Sequence, residues 1–224
     1  MKVSILRQTG ATLAHPWLRP LTEGWAILVP FAAVAIGLGR TRRRRALLPL
    51  IATALVAAGM RDPDRVSTAE PDVALSPADG RVVHISRVWD EFWQLELLEI
   101  VIYLSLLNVH VQRLPLAATI VGKTWRRGAY HSAKSSRAIA ENHQLSTYLQ
   151  TPHGPCVVKQ RAGLVARRIV NWLPIDAEAG QGQRLGMIKF GSQTVVRLTT
   201  AFEPLVQVGS VVRAGVTPVA HRIR

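Results

Sequence analysis

The sequence predicts a β-rich α+β protein, a small lipoyl-like β-barrel or sandwich domain preceded by an N-terminal apolar helical hairpin. Three observations carry that reading. Beyond residue 65, short β-branched runs alternate with glycine and proline, the punctuation of strands and turns. Asp176–Ile188 and Val206–Val219 echo one another, each a glycine turn, a short strand and a second glycine turn. Before residue 61, two nearly charge-free runs, Trp25–Gly39 and Ala46–Met60, flank the basic stretch Arg40–Arg45.

Each apolar run holds about fifteen residues and as a helix would reach about 22 Å, short of the ~30 Å hydrocarbon core of a bilayer. Short spanning helices, a shallow insertion into one leaflet and buried helices of a soluble protein all compete. A polyarginine loop between apolar segments suits a core poorly, and a cleaved signal peptide would leave the second run unexplained. With the arginine loop in the cytoplasm, a double crossing would put the remaining domain outside. A monotopic hairpin at the cytoplasmic face of the cell membrane avoids that conflict and is favoured. Arg61-Asp62-Pro63-Asp64-Arg65 ends the second run with charge and proline and reads as a linker. The expected division is 1–65 for hairpin and linker and 66–224 for the folded domain.

Within that domain Arg81–Val88, Leu98–Leu106, Ala118–Val121, Cys156–Arg161, Leu164–Val170 and Thr194–Leu198 read as strands, and Ser135–Asn142 as one or two helical turns. The chain has 224 residues, enough for a sizeable core. Its net charge of +14 favours an anionic partner. An anionic membrane surface has the hairpin to support it, whereas nucleic acid has no zinc-finger spacing or RNA-binding signature. Cys156 is the only cysteine, which excludes a disulfide framework and suggests a structural thiol in a strand. His84, His131, His143, His153 and His221 lack metal-ligand spacing, so no metal site is expected.

Three stations carry candidate chemistry. Asp79 lies in the proline- and glycine-bounded turn Ser76-Pro-Ala-Asp-Gly-Arg-Val82 before a strand. His110 and Arg113 follow an apolar strand in Asn108-Val-His-Val-Gln-Arg-Leu-Pro115. Gly191-Ser192 closes Gly186-Met-Ile-Lys-Phe-Gly-Ser192, where a serine hydroxyl can attack the carbonyl before it. Together they could form an orienter, a base and a nucleophile. Singly, each has a plain alternative: a turn cap, a hydrogen-bonded strand histidine, a solvated arginine, a turn between strands.

With Tyr103–Pro115, Thr151-Pro-His-Gly-Pro155 and Ala162–Val170, these stretches resemble the short, membrane-associated branch of the phosphatidylserine decarboxylases, in order and spacing, from about residue 61 to 198. The resemblance implies a self-processing carboxy-lyase. Ser192 would attack the Gly191 carbonyl to give an ester, and elimination would separate a β chain, 1–191, from an α chain, 192–224. The dehydroalanine left at 192 would hydrolyse to a covalent pyruvoyl group, the cofactor. Its ketone would form a Schiff base with the amine of phosphatidylserine and draw electrons from the breaking carbon–carboxylate bond, giving phosphatidylethanolamine and CO₂. The implied partners are the lipid substrate, an anionic membrane surface and the chain's own two fragments as a heterodimer, with a higher oligomer left open. Ser192, His110 and Asp79 are the expected catalytic residues, Gly191-Ser192 the cleavage site, and Arg167 and Arg168 the candidates for the lipid phosphate.

The sequence departs from the longer branch, which carries a second histidine at the position of Arg113. His110 must then cover one or both roles, or another group must help. Asn108, His143 and Gln144 also depart from the family pattern. The rival from another class is a non-catalytic membrane adaptor with a lipoyl-like β domain.

Overall fold

A computed structural model describes residues 29–30, 32–40, 43–67, 70–132, 137–163, 168–188 and 192–223, with the side chains of Arg43 and Ser192 outside that description. Residues 32–40 are helical, and helix α1 (Arg43–Gly59) follows. The described parts of both apolar runs are thus helical on either side of residues 41–42, and a Cβ at Gly39 would sit 3.9 Å from that of Ala46. Arg43 to Arg45, expected in a loop, form the first turn of α1 instead. No helix among the described residues is long and apolar enough to cross a membrane. Leu47, Leu48, Leu50, Ile51 and Leu55 are exposed along α1. Its far end is docked: Met60 is buried with Val109, Val111 and Met187, and Val56 packs against them.

The rest is β-rich. In order come β1 (Val73–Leu75), β2 (Gly80–Asp90), β3 (Leu95–Leu104), β4 (Val111–Arg113), β5 (Ala118–Arg126) and the short helix α2 (Arg137–Glu141). Then follow β6 (Gln144–Thr151), β7 (Gly154–Arg161), β8 (Ile169–Asn171), β9 (Glu178–Ala179) and β10 (Arg184–Ile188). The last strands are β11 (Ser192–Thr199), β12 (Phe202–Pro204), β13 (Val211–Val212) and β14 (Pro218–Arg222). An antiparallel sheet, curled as a half-barrel, runs β13-β2-β3-β11-β7-β6-β5-β9. Two three-stranded sheets, β4-β10-β8 and β1-β14-β12, accompany it.

The predominantly apolar sequence of β3 explains its central place. Leu97 to Ile102 are buried on both faces of the sheet, as are Val195 and Val196 of β11 and Val157 and Val158 of β7. Polar members of these strands are neutralised in place. Arg197 of β11 donates to Glu99 and Asp90, both at 2.7 Å, and Lys159 of β7 lies 3.9 Å from Asp90. Burial and the nearby Arg197 push the Lys159 ammonium down to about 8. Cys156 is fully buried in β7, where burial pushes its thiol well above the ordinary range.

Four expected strands match in place, with longer ends. The expected Leu98–Leu106 stops at Leu104, because Ser105 donates from both its backbone N–H and its hydroxyl to the Asn108 side-chain carbonyl, at 2.8 and 2.6 Å, and closes a turn. Of Leu164–Val170, only Ile169 and Val170 are described as strand, and residues 164–167 lie outside the described set. The helix expected over Ser135–Asn142 is α2, with residues 135–136 likewise outside. The echoed segments meet in space. Gly182 and Gly215 both take left-handed φ, 75° and 68°, and a Cβ added to Gly215 would press on the Arg113 side chain.

Candidate active site

Strand β3 ends at Leu104, and the turn at Ser105–Asn108 delivers the chain to His110, just before β4. His110 is buried, and its backbone N–H and Nδ1 both reach the last carbonyl of α1, Gly59, at 3.3 and 3.1 Å. A carbonyl only accepts, so Nδ1 carries the ring proton and Nε2 the lone pair. The approach is close: a Cβ at Gly59 would lie 3.2 Å from Nδ1. Burial holds the His110 pKa below the ordinary imidazole value. The Gly59 and Asn108 backbone contacts and the more distant Asp79 pull it up, while the Arg61 charge pushes it further down. The ring is therefore held neutral at physiological pH, the form that accepts a proton.

The described residues on either side of 189–191 both pair with the segment that carries His110. Ile188, closing β10, donates its N–H to the His110 carbonyl at 3.2 Å. Ser192 opens β11 opposite Leu104. Residues 189–191, with Gly191, lie outside the described set; Ile188 and Ser192 pair through their backbones with the 104–110 stretch.

Asp79 sits in the turn before β2, and its carboxylate is nearly buried. It receives a two-pronged Arg65 guanidinium at 2.5 and 2.9 Å and the Ala214 N–H at 2.8 Å. Among the described residues no hydrogen bond joins Asp79 to His110; its charge alone reaches the ring. The carboxylate thus orients the 61–65 segment and the C-terminal turn directly, and the imidazole only electrostatically.

Arg113 is not a solvated charge. It is buried, and donates to the Gly182 carbonyl at 3.0 Å and the Pro63 carbonyl at 2.9 Å, with Asp62 3.4 Å away. Asp62 also receives Arg184 at 2.5 Å, and Asp64 receives the same guanidinium at 2.8 Å. Residues 61–65, expected as a linker, form a strap tied along the domain. Burial lowers the Arg113 pKa first, and the Arg184 charge adds to that.

The strap roofs a cavity of about 390 Å³ whose walls include Arg61, Arg65, Asp64, Asp79, Val109 and Arg213. None of the three arginines was a candidate from the sequence; Arg61 and Arg65 carried only the signal of charge beside a proline. Arg161 was missed as well. It is buried at the end of β7, and donates to Gln193, the residue after Ser192, at 2.6 Å and to Gln144 at 3.3 Å. Burial pushes its guanidinium down to about 10. Of the two expected phosphate ligands, Arg168 is exposed and Arg167 lies outside the described residues. Among the described residues no three His, Cys, Asp or Glu side chains gather as a metal-holding group.

Comparison with known proteins bears on the sequence as a whole. Residues 52–220 match the family model described as phosphatidylserine decarboxylase. A phosphatidylserine decarboxylase proenzyme of Desulfotalea psychrophila is 38% identical over 170 residues, which is 75% of this chain and 79% of the relative. One from Trichlorobacter lovleyi is 33% identical over 195 residues, 87% of this chain and 85% of the relative.

Proposed function

The chain belongs to the phosphatidylserine decarboxylase family of carboxy-lyases, and from that premise we propose that it cuts itself at Gly191–Ser192 and decarboxylates phosphatidylserine to phosphatidylethanolamine and CO₂. The observation that carries this reading is the bracketing of residues 189–191 between Ile188, bonded to His110, and Ser192, paired with Leu104. Both described neighbours of that segment are tied to the stretch that carries the neutral imidazole.

In this reading His110 Nε2 takes the proton of the Ser192 hydroxyl as the hydroxyl attacks the Gly191 carbonyl. The Gly191–Ser192 amide breaks, and the product is an ester between the Gly191 carbonyl and the serine oxygen. Elimination leaves Gly191 as a carboxylate and residue 192 as dehydroalanine, which takes up water and loses ammonia. The pyruvoyl group so formed would supply an electron-withdrawing carbonyl for the electrons of the breaking carbon–carboxylate bond. The residues around it suit that group. Ser192 heads a central strand, so a new terminus there stays anchored by the pairing of β11 with β3 and β7. His110 supplies a protonatable nitrogen for the returning proton, and Arg161 fixes Gln193 immediately behind. Asp79 holds Arg65 and the C-terminal turn, so it shapes the site from the side of the strap.

We further assign the protein to the cytoplasmic face of the cell membrane as a monotopic enzyme. Support comes from the exposed leucines of α1 and from Arg43–Arg45, which crowd positive charge onto the positive end of the helix dipole and call for anionic headgroups. Arg167 and Arg168 are the sequence's own candidate pair for the lipid phosphate; Arg168 is exposed after β7. The paired glycine turns at 182 and 215 support the lipoyl-like reading of the β domain.

The test is the intact mass of purified protein. Fragments 1–191 and 192–224 are expected, the smaller with a ketone-bearing, amine-free terminus. Ser192→Ala should leave a single chain of 24.6 kDa. A wild-type chain that stays whole, as a membrane adaptor would, overturns the reading.

A further inference from the structure

The cavity under the strap contains more positive charge than its own carboxylates neutralise. Arg65 is matched by Asp79 and also donates to the Ala214 carbonyl at 2.7 Å. Asp64 is matched by Arg184 from outside the cavity. Two guanidiniums are left over. Arg61 donates from Nη1 only to backbone carbonyls, Ala58 at 2.5 Å and Leu107 at 2.9 Å. Arg213 is exposed, and its guanidinium has no hydrogen bond or ion pair among the described residues. Two arginines without a carboxylate, facing one hollow, define an anion site, and the planar fork of arginine fits phosphate oxygens two at a time. The volume of about 390 Å³ lies in the range of small-molecule sites, about 300–1,000 Å³.

Position narrows the anion. Arg61 follows the end of α1 by two residues, so the cavity opens at the foot of a helix whose flank exposes Leu47, Leu48, Ile51 and Leu55. Val109 in its wall precedes His110, and the Arg61 charge is felt at that imidazole. A molecule bound here lies between the residues that follow α1 and the residue before His110. Arg213 belongs to the 192–224 fragment and Arg61 to the 1–191 fragment, so the two halves of the cut chain would grip the same ligand.

We propose that Arg61 and Arg213 form the phosphodiester-binding site of this enzyme, taking the phosphate of a glycerophospholipid headgroup at the foot of α1. The proposal deepens the decarboxylase reading and rests on it for the identity of the lipid.

The experiment uses the full-length Ser192→Ala chain, which cannot turn over, with glycerophosphoserine as a soluble probe in calorimetry. Binding is expected, weakened at least tenfold by Arg213→Gln, a substitution at an exposed side chain with no internal partner to lose. Arg61→Lys, which retains the charge but not the fork, should fall between. Inorganic phosphate should bind at least tenfold more weakly than glycerophosphoserine; equal affinity would make this a free-phosphate site and overturn the headgroup assignment. Affinity unchanged in Arg213→Gln, or lost instead in Arg168→Gln, overturns it as well. If wild type is cut and decarboxylates while Arg213→Gln binds normally, only this inference falls. If wild type stays whole and arginine-dependent binding persists, the decarboxylase reading falls and the anion site stands.

Discussion

At the scale of single residues, the decisive property is the charge state of His110. Burial, with the Arg61 charge adding to it, keeps the imidazole neutral below the pH at which a free histidine protonates, near 6.5; Asp79 and two backbone contacts oppose only in part. The acid limb of the self-cleavage rate is therefore expected below pH 6.5, read by the appearance of the 192–224 fragment over time. A limb at or above that value would mean that another group takes the serine proton. Stability moves in the same direction. The folded value is the lower one, so above pH 6.5 this group contributes nothing. As pH falls through 6.5, the unfolded chain binds a proton that the folded ring refuses, and stability is lost until the folded value is passed. His110→Gln keeps a side-chain amide for the Gly59 carbonyl but has no basic nitrogen. It should slow cleavage at least 100-fold, the lower end of what a general base contributes, about 10²–10⁴. Asp79, His110 and Ser192 were candidates from the sequence because each sits in a local motif of turn, strand end and dipeptide. Arg65, which holds Asp79, and Arg213, which shares its cavity, were not. Their meeting joins positions 14 and more than 130 residues away, and no local pattern records that.

Among elements, the strap is what the sequence concealed. Charge and proline at 61–65 signal a break in the helix, and a break reads as a flexible tether. The structure instead spends a buried arginine on it: Arg113 holds Pro63 and Asp62, and joins them to the Gly182 turn. This accounts for arginine where the longer branch has a second histidine. A group with that many fixed partners is structural, which in the proposed reading leaves proton transfer at cleavage to His110. Arg113→Met, which retains the stem and removes the donors, should cost about 2–3 kcal/mol, less than the loss of a partner from an isolated buried pair because Asp62 keeps Arg184. In a chain of this size that is roughly 4–12 °C in Tm. The variant should still cut itself at low temperature. Full stability would show that the strap is a tether after all, and loss of cutting in a folded variant would make Arg113 part of the chemistry. Strand β6 was missed for a related reason. Gln144, Ser146 and Thr147 look like a surface loop, yet they are buried between β5 and β7, where Gln144 accepts from Arg161 and Thr147 from Asn171. Central strands such as β3 declare themselves by apolar content; a strand whose buried face is polar does not.

For the whole molecule, the question is what the net charge of +14 meets. The arginines at the start of α1 make two opposite contributions. In water, three cations in the first turn oppose the helix dipole, with no acidic residue there to offset them, at a cost of about 0.3–1 kcal/mol each. At an anionic bilayer the same side chains gain about 1 kcal/mol each. The triple substitution Arg43→Gln, Arg44→Gln, Arg45→Gln should therefore separate the two environments. In buffer or neutral detergent, helicity by circular dichroism should hold or rise. On vesicles rich in phosphatidylserine, partitioning should fall by about 3 kcal/mol, roughly 100-fold, while partitioning to neutral phosphatidylcholine vesicles, driven by the exposed leucines of α1, should be nearly unchanged. Raising the salt should erode wild-type binding to the anionic vesicles toward that of the variant, because the contacts lie within a screening length of about 8 Å at physiological ionic strength. Equal loss on both kinds of vesicle would show that the arginines shape the hairpin rather than recognise charge. An unchanged affinity for anionic vesicles would move the membrane contact to another face of the protein.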